Sequence, residues 1–131
     1  MFTLEQIKEA HSHVKSGADF PAYVEKLAKL GVRSYTCYVH DGHTDYVGDD
    51  GYHIQTDTTT AEPLVVDELT DIDMFKERLK IHQQGGTSFS VFLTDAAQAG
   101  VEKWITDVTA RTCTYYDKAG NDVLVESIPT P

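Results

Sequence analysis

The feature of the sequence that most restricts its fold is an internal repeat. Residues 20–54 align without a gap with residues 89–123, so that Gly31 falls on Gly100. Identities are few, but they coincide with glycines, aromatic residues and turn positions. A repeat of this kind indicates one supersecondary unit that is built twice. The aligned pairs include Phe20 with Phe89, Tyr35 with Trp104, Val39 with Val108, and Tyr46 with Tyr115.

Each copy is predicted to begin with two helices. Apolar and histidine residues recur at intervals of three and four, which places them along one helix face. The first helix is expected to end near Gly17, or near Gly85 in the second copy. The second is expected to end at Gly31 or Gly100, because glycine suits a left-handed C-terminal cap. The two stripes are Leu4, Ile7, His11 and Val14, and Ile72, Phe75, Leu79 and His82. The expected N-terminal caps are Thr3 with Gln6 and Thr70 with Asp73.

Three short strands follow the helices in each copy, the third one after Gly51 or Gly120. The expected fold is α+β, with one antiparallel sheet built from both meanders, helices on one face and a pseudo-twofold axis. Each half, at roughly 60 residues, is marginal alone, so residues 1–131 are expected to form a single domain. The repeats are expected at about 4–55 and about 72–128, with a linker at about 56–70. In this linker residues 56–63 read as a loop and residues 64–66 as one more short strand.

Residues 35–46 concentrate one cysteine, two histidines and two aspartates. Within them, Asp41 and Gly42 are typical of a two-residue type I′ turn, which needs positive φ at both central positions. That turn predicts a hairpin in which His40 pairs with His43. The same register pairs Val39 with Thr44, Tyr38 with Asp45, and Cys37 with Tyr46.

The hairpin offers a candidate metal site. Because side chains alternate between the faces of a strand, Cys37 points toward the helices and away from both histidines. The imidazoles of His40 and His43 and the carboxylate of Asp45 remain as possible ligands of a divalent ion, with Asp41 in the turn. A polar, solvated hairpin tip is the competing and more ordinary interpretation. The second copy has Thr109, Thr112 and Thr114 in place of these three residues.

A second candidate is a ligand groove at the pseudo-twofold axis, lined by polar groups from the helices and by inward-facing aromatic residues. The competing interpretation is that the histidines lie at the edge of the core and that the aromatic residues anchor it. The two cysteines, Cys37 and Cys113, are expected to be buried, reduced thiols. The candidate ligand-binding residues are His11, His82, Tyr35, Tyr46, Trp104 and Tyr115.

A third candidate is the sheet face that points away from the helices. Aromatic and aliphatic side chains on such a face often mark an interface, so the sequence predicts a homodimer through it. The competing interpretation is a monomer with a solvated sheet. The candidate interface residues are Tyr38, Val47, Ile105 and Tyr116.

Charge and motifs narrow the classes of function. The chain has 11 Lys and Arg residues against 21 Asp and Glu residues, a net charge of −10. Direct binding to nucleic acid is therefore not expected, whereas a basic protein partner is compatible with this charge. The sequence has no apolar run of membrane-spanning length and no secretion signal, so a cytoplasmic location without membrane contact is expected. No phosphate-binding loop, nucleophile elbow or paired-cysteine motif occurs, and no cofactor is implied.

Two stretches, residues 2–32 and residues 99–126, resemble the YdfO/YbcV-like family, a bacterial and prophage-associated domain of unknown function. Members of that family often carry the label "phage envelope protein". The resemblance implies a compact α+β domain and supplies no catalytic residues.

The sequence therefore predicts a small soluble binding or interaction module rather than an enzyme, and the resemblance implies a prophage origin. Three alternatives stay open. They are a small-molecule-binding domain with a groove at the pseudo-twofold axis, an acidic protein that engages a basic partner, and a metal-dependent enzyme centred on His40 and His43.

Overall fold

The computed structural model describes residues 1–60 and 62–131, so Ala61 of the predicted loop lies outside the described residues. In these two ranges the chain forms four α-helices, six strands and two single-turn 3₁₀ helices at Gly17–Asp19 and Asp49–Gly51. The helices are α1 (Leu4–His11), α2 (Phe20–Leu30), α3 (Ile72–Gln83) and α4 (Phe89–Gln98). The strands are β1 (Ser34–Tyr38), β2 (Thr44–Val47), β3 (His53–Gln55), β4 (Val101–Asp107), β5 (Thr112–Asp117) and β6 (Asp122–Ser127).

The six strands form one sheet in the order β3-β2-β1-β4-β5-β6. Every neighbouring pair is antiparallel, including β1 and β4, which join the two halves at the centre of the sheet. The α+β class and the single antiparallel sheet are thus confirmed. The short third strands after Gly51 and Gly120 are confirmed as β3 and β6.

The core lies between the helices and one face of the sheet. Tyr35 and Trp104 are both buried at the inward positions that the alternation predicts. The ring of Trp104 lies 5.5 Å from that of Phe92 in α4, and the ring of Tyr115 lies 4.9 Å from that of Phe75 in α3. Aromatic contacts at this spacing add to the free energy of burial, so these rings anchor the helices on the sheet.

The ends of α1 agree with the sequence in part. Thr3 and Gln6 form the predicted capping box. The helix ends at His11, and the predicted end near Gly17 is wrong. The hydroxyl of Ser12 donates a hydrogen bond to a carbonyl of the preceding turn, which competes with continuation of the helix.

The other helix ends follow the same physical rules. Asp71 caps α3 by accepting a hydrogen bond from the backbone N–H of Met74 at 3.0 Å, so the predicted cap at Thr70 is wrong by one residue. Gly31 and Gly100, which follow α2 and α4, have φ values of 98° and 82°. This left-handed backbone confirms the role predicted for both glycines.

Residues 64–66 do not form a strand, which corrects the sequence prediction for this part of the linker. The backbone N–H of Leu64 donates to the carbonyl of His40 at 2.6 Å, and Asp71 donates to the carbonyl of Ala99 at 2.9 Å. The linker is therefore fastened at one end to the first hairpin and at the other end to the C-terminus of α4, outside the sheet.

Candidate functional site

The hairpin between β1 and β2 differs from the predicted two-residue turn. Cys37 pairs with Thr44, and the backbone N–H of Tyr38 donates to the carbonyl of His43 at 3.0 Å. Residues 39–42 thus form a four-residue loop. Gly42 has positive φ, but Asp41 is not among the residues with positive φ, so a type I′ turn is excluded.

The observed register of the hairpin differs from the predicted one by two residues. A shift by an even number leaves every side chain on its predicted face of the sheet. Cys37 is buried on the helix side, and burial raises the pKa of its thiol to about 12. The predicted cross-strand pair of His40 and His43 is wrong, because His40 lies in the loop and His43 at its end. The two imidazole rings nevertheless lie close together, with centroids 6.0 Å apart.

Asp41 lies between these two histidines. Its Oδ1 is 2.5 Å from Nδ1 of His43, and its Oδ2 is 3.4 Å from Nε2 of His40. One ligand atom from each of the three residues lies within 4.8 Å of the other two. We call His40, Asp41 and His43 the tip cluster.

The predicted third ligand, Asp45, lies outside the tip cluster. It pairs with Thr36 in β1, and its Oδ1 is 3.2 Å from Nδ1 of His53 in β3. The carboxylate nearest to both His40 and His43 is instead that of Asp41, which the sequence places between them.

The tip cluster keeps Asp41 ionised. Partial burial raises the pKa of its carboxyl group. The hydrogen bonds from the backbone and ring of His43 and the electrostatic effect of the two neighbouring imidazoles lower that pKa by more. The pKa of Asp41 therefore lies below its usual value. A carboxylate is thus available at the tip near neutral pH.

The loop that carries the tip cluster is fixed on several sides. Thr59 donates a backbone hydrogen bond to the carbonyl of Asp41 at 2.8 Å, in addition to the bond from Leu64 to His40. The ring of Tyr38 stacks on that of His43 at 4.5 Å with an interplanar angle of 13°. The tip is therefore packed against the linker and the sheet.

The residues predicted to line a ligand groove lie mainly in the core. Tyr35 and Tyr46 are buried with ring centroids 5.3 Å apart, and Trp104 and Tyr115 are buried 5.9 Å apart. Two surface depressions of about 530 Å³ and about 510 Å³ lie elsewhere, beside the linker and α3 or α4. Neither of these two is lined by any of the predicted groove residues, so their ligand-binding role stays a prediction.

The two stripe histidines pack against aromatic rings. His11 meets Tyr23 edge to face at 5.3 Å, and His82 stacks on Phe92 at 4.4 Å. Nδ1 of His82 donates a hydrogen bond to the carbonyl of Thr87 at 3.0 Å. Burial lowers the pKa of both imidazoles, so the neutral rings are favoured.

The burial of His82 predicts a pH dependence of stability. Desolvation lowers its folded pKa more than the Thr87 hydrogen bond and the charge of Asp95 raise it. The unfolded state therefore binds the proton more readily, and the stability is lost as pH falls through about 6.5, the usual pKa of histidine. In urea unfolding at pH 7 and pH 5, His82→Gln should lose less stability on acidification than the wild type. An equal loss in both proteins would contradict this assignment.

The predicted interface residues lie on the sheet face away from the core, where each is partly exposed. Val125 of β6 pairs with Thr114 on the same face and is 53% exposed. The sequence reasoning missed Val125, although its position in the predicted third strand of the second copy was the available signal. Ile105 lies near the middle of the face, opposite Thr36 of β1.

Comparison with known proteins gives a family without an assigned activity. A family model described as "Protein of unknown function (DUF1398)" matches residues 8–127. Uncharacterised proteins from Mycobacterium bovis and Mycobacterium tuberculosis are 30% identical to the chain over 97 residues, which is 74% of the chain and 59% of each relative. The chain therefore spans less than two thirds of the length of these relatives. Among the described residues, no helix has the length and apolar character needed to cross a membrane.

Proposed function

The chain belongs to the DUF1398 family of unknown function, and we propose that it is a non-catalytic interaction module that self-associates through the open face of its sheet. The open face is the side of the sheet opposite the helices. The observation that carries the proposal is that aromatic and aliphatic side chains are distributed across this face from β2 to β6. They are Tyr38, Val47, Ile105, Tyr116 and Val125.

The composition of the open face suits a second copy of the chain. Apolar side chains alternate with polar ones, and charges of both signs are present, including Lys103 and Asp107. The ammonium group of Lys103 lies 5.7 Å from the ring centroid of Tyr116, so part of its charge is already engaged. A mixed surface of this type is common in interfaces between proteins that also exist as monomers.

The groups most suited to covalent chemistry support a non-catalytic role. Burial raises the pKa of the thiols of Cys37 and Cys113, and a buried neutral thiol is a poor nucleophile. Burial lowers the pKa of His11 and His82, and both rings are packed against aromatic neighbours. The two thiols lie in the core, and the two imidazoles are packed against aromatic neighbours at its edge.

We further propose that the two halves are copies related by a pseudo-twofold axis. Tyr35 pairs with Tyr46, and the residues 69 positions later, Trp104 and Tyr115, also pair. At the centre of the sheet Thr36 pairs with Ile105, and Ile105 is also the residue 69 positions after Thr36. A twofold axis between β1 and β4 requires one such pair, in which a residue faces its own equivalent in the other half. A prophage origin rests on the sequence resemblance alone.

The same offset recurs in the hairpin loops. The loop at residues 39–42 ends in Gly42 with φ of 73°, and the corresponding loop at residues 108–111 ends in Arg111 with φ of 57°. The second half departs from the first by bulges between Val101 and Lys103 and between Tyr115 and Tyr116. Both bulges make the pairing of neighbouring strands locally irregular without changing the strand order.

Tyr116→Asp tests the proposed self-association. Light scattering at micromolar concentration should show a dimer for the wild type and a monomer for Tyr116→Asp, because the change places an unpaired charge in the interface. The matched control is Val91→Asp, at a residue of α4 that is 47% exposed on the helix side of the molecule. The control should remain dimeric, and circular dichroism should show that both variants fold.

Salt separates self-association from binding to a basic partner. Two chains that each carry a charge of −10 repel one another. Raising NaCl from about 0.05 M to about 0.5 M screens this repulsion and should strengthen the dimer, whereas it would weaken a complex with a basic protein. A wild type that stays monomeric throughout, or a dimer that survives Tyr116→Asp, rules out the open face as the self-association surface.

A further inference from the structure

We propose that the tip cluster of His40, Asp41 and His43 is a binding site for one divalent transition metal ion of the first row, such as Zn²⁺. This site adjoins the open face, because Tyr38 of that face stacks on His43. The metal proposal does not depend on self-association, since one ion is held by the side chains of a single chain. The ligand set would be two imidazole nitrogens and one carboxylate oxygen, with the remaining coordination positions open to water or to a small ligand.

One of the two ligand-atom distances in the tip cluster already fits such an ion. Zinc takes nitrogen and oxygen ligands at about 2.1 Å, so ligand atoms of a tetrahedral site lie about 3.4 Å apart. Nε2 of His40 and Oδ2 of Asp41 are already 3.4 Å apart. Nδ1 of His43 and Oδ1 of Asp41 are closer together, at 2.5 Å. Binding of one ion therefore requires these two atoms to separate by about 0.9 Å.

The surroundings hold these ligands in position before an ion binds. Thr59 and Leu64 fix the backbone carbonyls of Asp41 and His40 through hydrogen bonds of 2.8 Å and 2.6 Å. The stacked ring of Tyr38 sets the orientation of the His43 imidazole. A fixed first shell lowers the entropy that is lost when the ligands are gathered around an ion.

Gly42 explains why the loop can pack so tightly. A Cβ atom at this position would lie 2.0 Å from Oγ1 of Thr59 and 2.8 Å from Cδ1 of Leu93. The absence of a side chain thus lets the tip approach both the linker and α4. In consequence the side chains of Asp41 and His43 are largely buried, while that of His40 is 48% exposed and gives solvent access to the site.

Other contacts between histidine and carboxylate in the described ranges combine fewer ligands. His13 meets Glu9 at 3.0 Å and His53 meets Asp45 at 3.2 Å, each as one imidazole with one carboxylate. Among residues 1–60 and 62–131, three potential ligands converge only at the tip cluster. The corresponding loop of the second half has Thr109, Ala110 and Thr112 in these positions. One ion per chain is therefore expected, although the loop is built twice.

Calorimetric titration of the untagged 131-residue chain with Zn²⁺ tests the site. The wild type should bind one ion per chain. His40→Ala, His43→Gln and Asp41→Asn should each weaken the Kd at least about tenfold, since even partners outside the ligand shell contribute this much. Asn at position 41 retains an oxygen that can accept the hydrogen bond from the His43 backbone. The matched control is His53→Ala, which removes an imidazole of the smaller contact and should leave the Kd within about twofold of the wild type.

Two further measurements distinguish the loss of a metal ligand from the loss of the folded structure. Circular dichroism should show a native Tm for His40→Ala, whose side chain is half exposed. Zn²⁺ should raise the Tm of the wild type and of His53→Ala but not that of His40→Ala, because only a folded site binds the ion. The proposal is overturned if the wild type binds no stoichiometric ion, if folded His40→Ala binds as tightly as the wild type, or if His53→Ala loses as much affinity.

Discussion

Trp104→Ala is expected to lower the free energy of unfolding by about 3 to 5 kcal/mol, the usual loss for a large buried aromatic residue. The indole is buried on the helix side of β4 and contacts the rings of Phe92 and Tyr115, with centroids 5.5 Å and 5.9 Å away. Its removal leaves a cavity that the surrounding rings fill only in part. Urea unfolding monitored by circular dichroism measures the loss.

The matched control for this change is Val91→Ala on α4, away from the open face. Its side chain is 47% exposed, so the variant should lose less than about 1 kcal/mol. A loss below about 1 kcal/mol for Trp104→Ala would mean that the indole does not anchor α4, contrary to the contacts described above.

Gly100→Ala is expected to cost about 2 to 5 kcal/mol, from left-handed backbone strain together with overpacking. The φ of Gly100 is 82°, and an added Cβ would lie 2.5 Å from the carbonyl oxygen of Leu69 and 2.9 Å from Cα of Thr70. Both contacts are with backbone atoms of the linker. The linker cannot easily withdraw, because the next residue, Asp71, donates its backbone N–H to Ala99 at 2.9 Å.

Gly31→Ala provides the comparison, because Gly31 ends α2 as Gly100 ends α4. Its φ is 98°, and no heavy atom lies within 4 Å of an added Cβ. This variant should therefore show only the strain of a left-handed residue, about 1 to 2 kcal/mol. The difference between the two variants in urea unfolding measures the contact with the linker, and equal losses would show that this contact is unimportant.

The sequence alignment of residues 20–54 with residues 89–123 made the main elements predictable. Phe89, which aligns with Phe20, is the first residue of α4, and Gly31 and Gly100 follow α2 and α4 as predicted. Local signals, such as the capping box at Thr3 and the alternation of apolar residues in β1, also predict the fold correctly. These features depend on residues that are near one another in the sequence.

The hairpin register was not predictable in the same way. Asp41 and Gly42 favour a two-residue turn locally, but the loop is set by hydrogen bonds from Thr59 and Leu64, about 20 residues further along the chain. Those partners lie in a linker without periodicity, so no pattern in the sequence identifies them. The sequence therefore identified the two histidines of the tip cluster as candidate ligands. It pointed to Asp45 and not to Asp41 as the third ligand, because that choice depends on the register of the hairpin.

The structure of residues 64–66 could not be predicted from the local sequence either. A run of Leu, Val and Val has high β propensity, but propensity yields to tertiary context. The hydrogen bond from Leu64 to His40 holds the run outside the sheet, and Val65 is 88% exposed. The backbone of Leu64 therefore fastens the linker at the tip, while the side chain of Val66 is buried in the core.

The central pairing of β1 with β4 has a consequence for the kinetics of folding. Each hairpin closes a short loop and can form within microseconds, whereas Thr36 and Ile105 must meet from distant parts of the chain. Until they meet, both halves expose a bare inner strand, which is a template for a strand of another molecule. Refolding at high protein concentration is therefore expected to yield interlocked, strand-exchanged dimers in which β1 of one chain pairs with β4 of another. Dilution during refolding should suppress them.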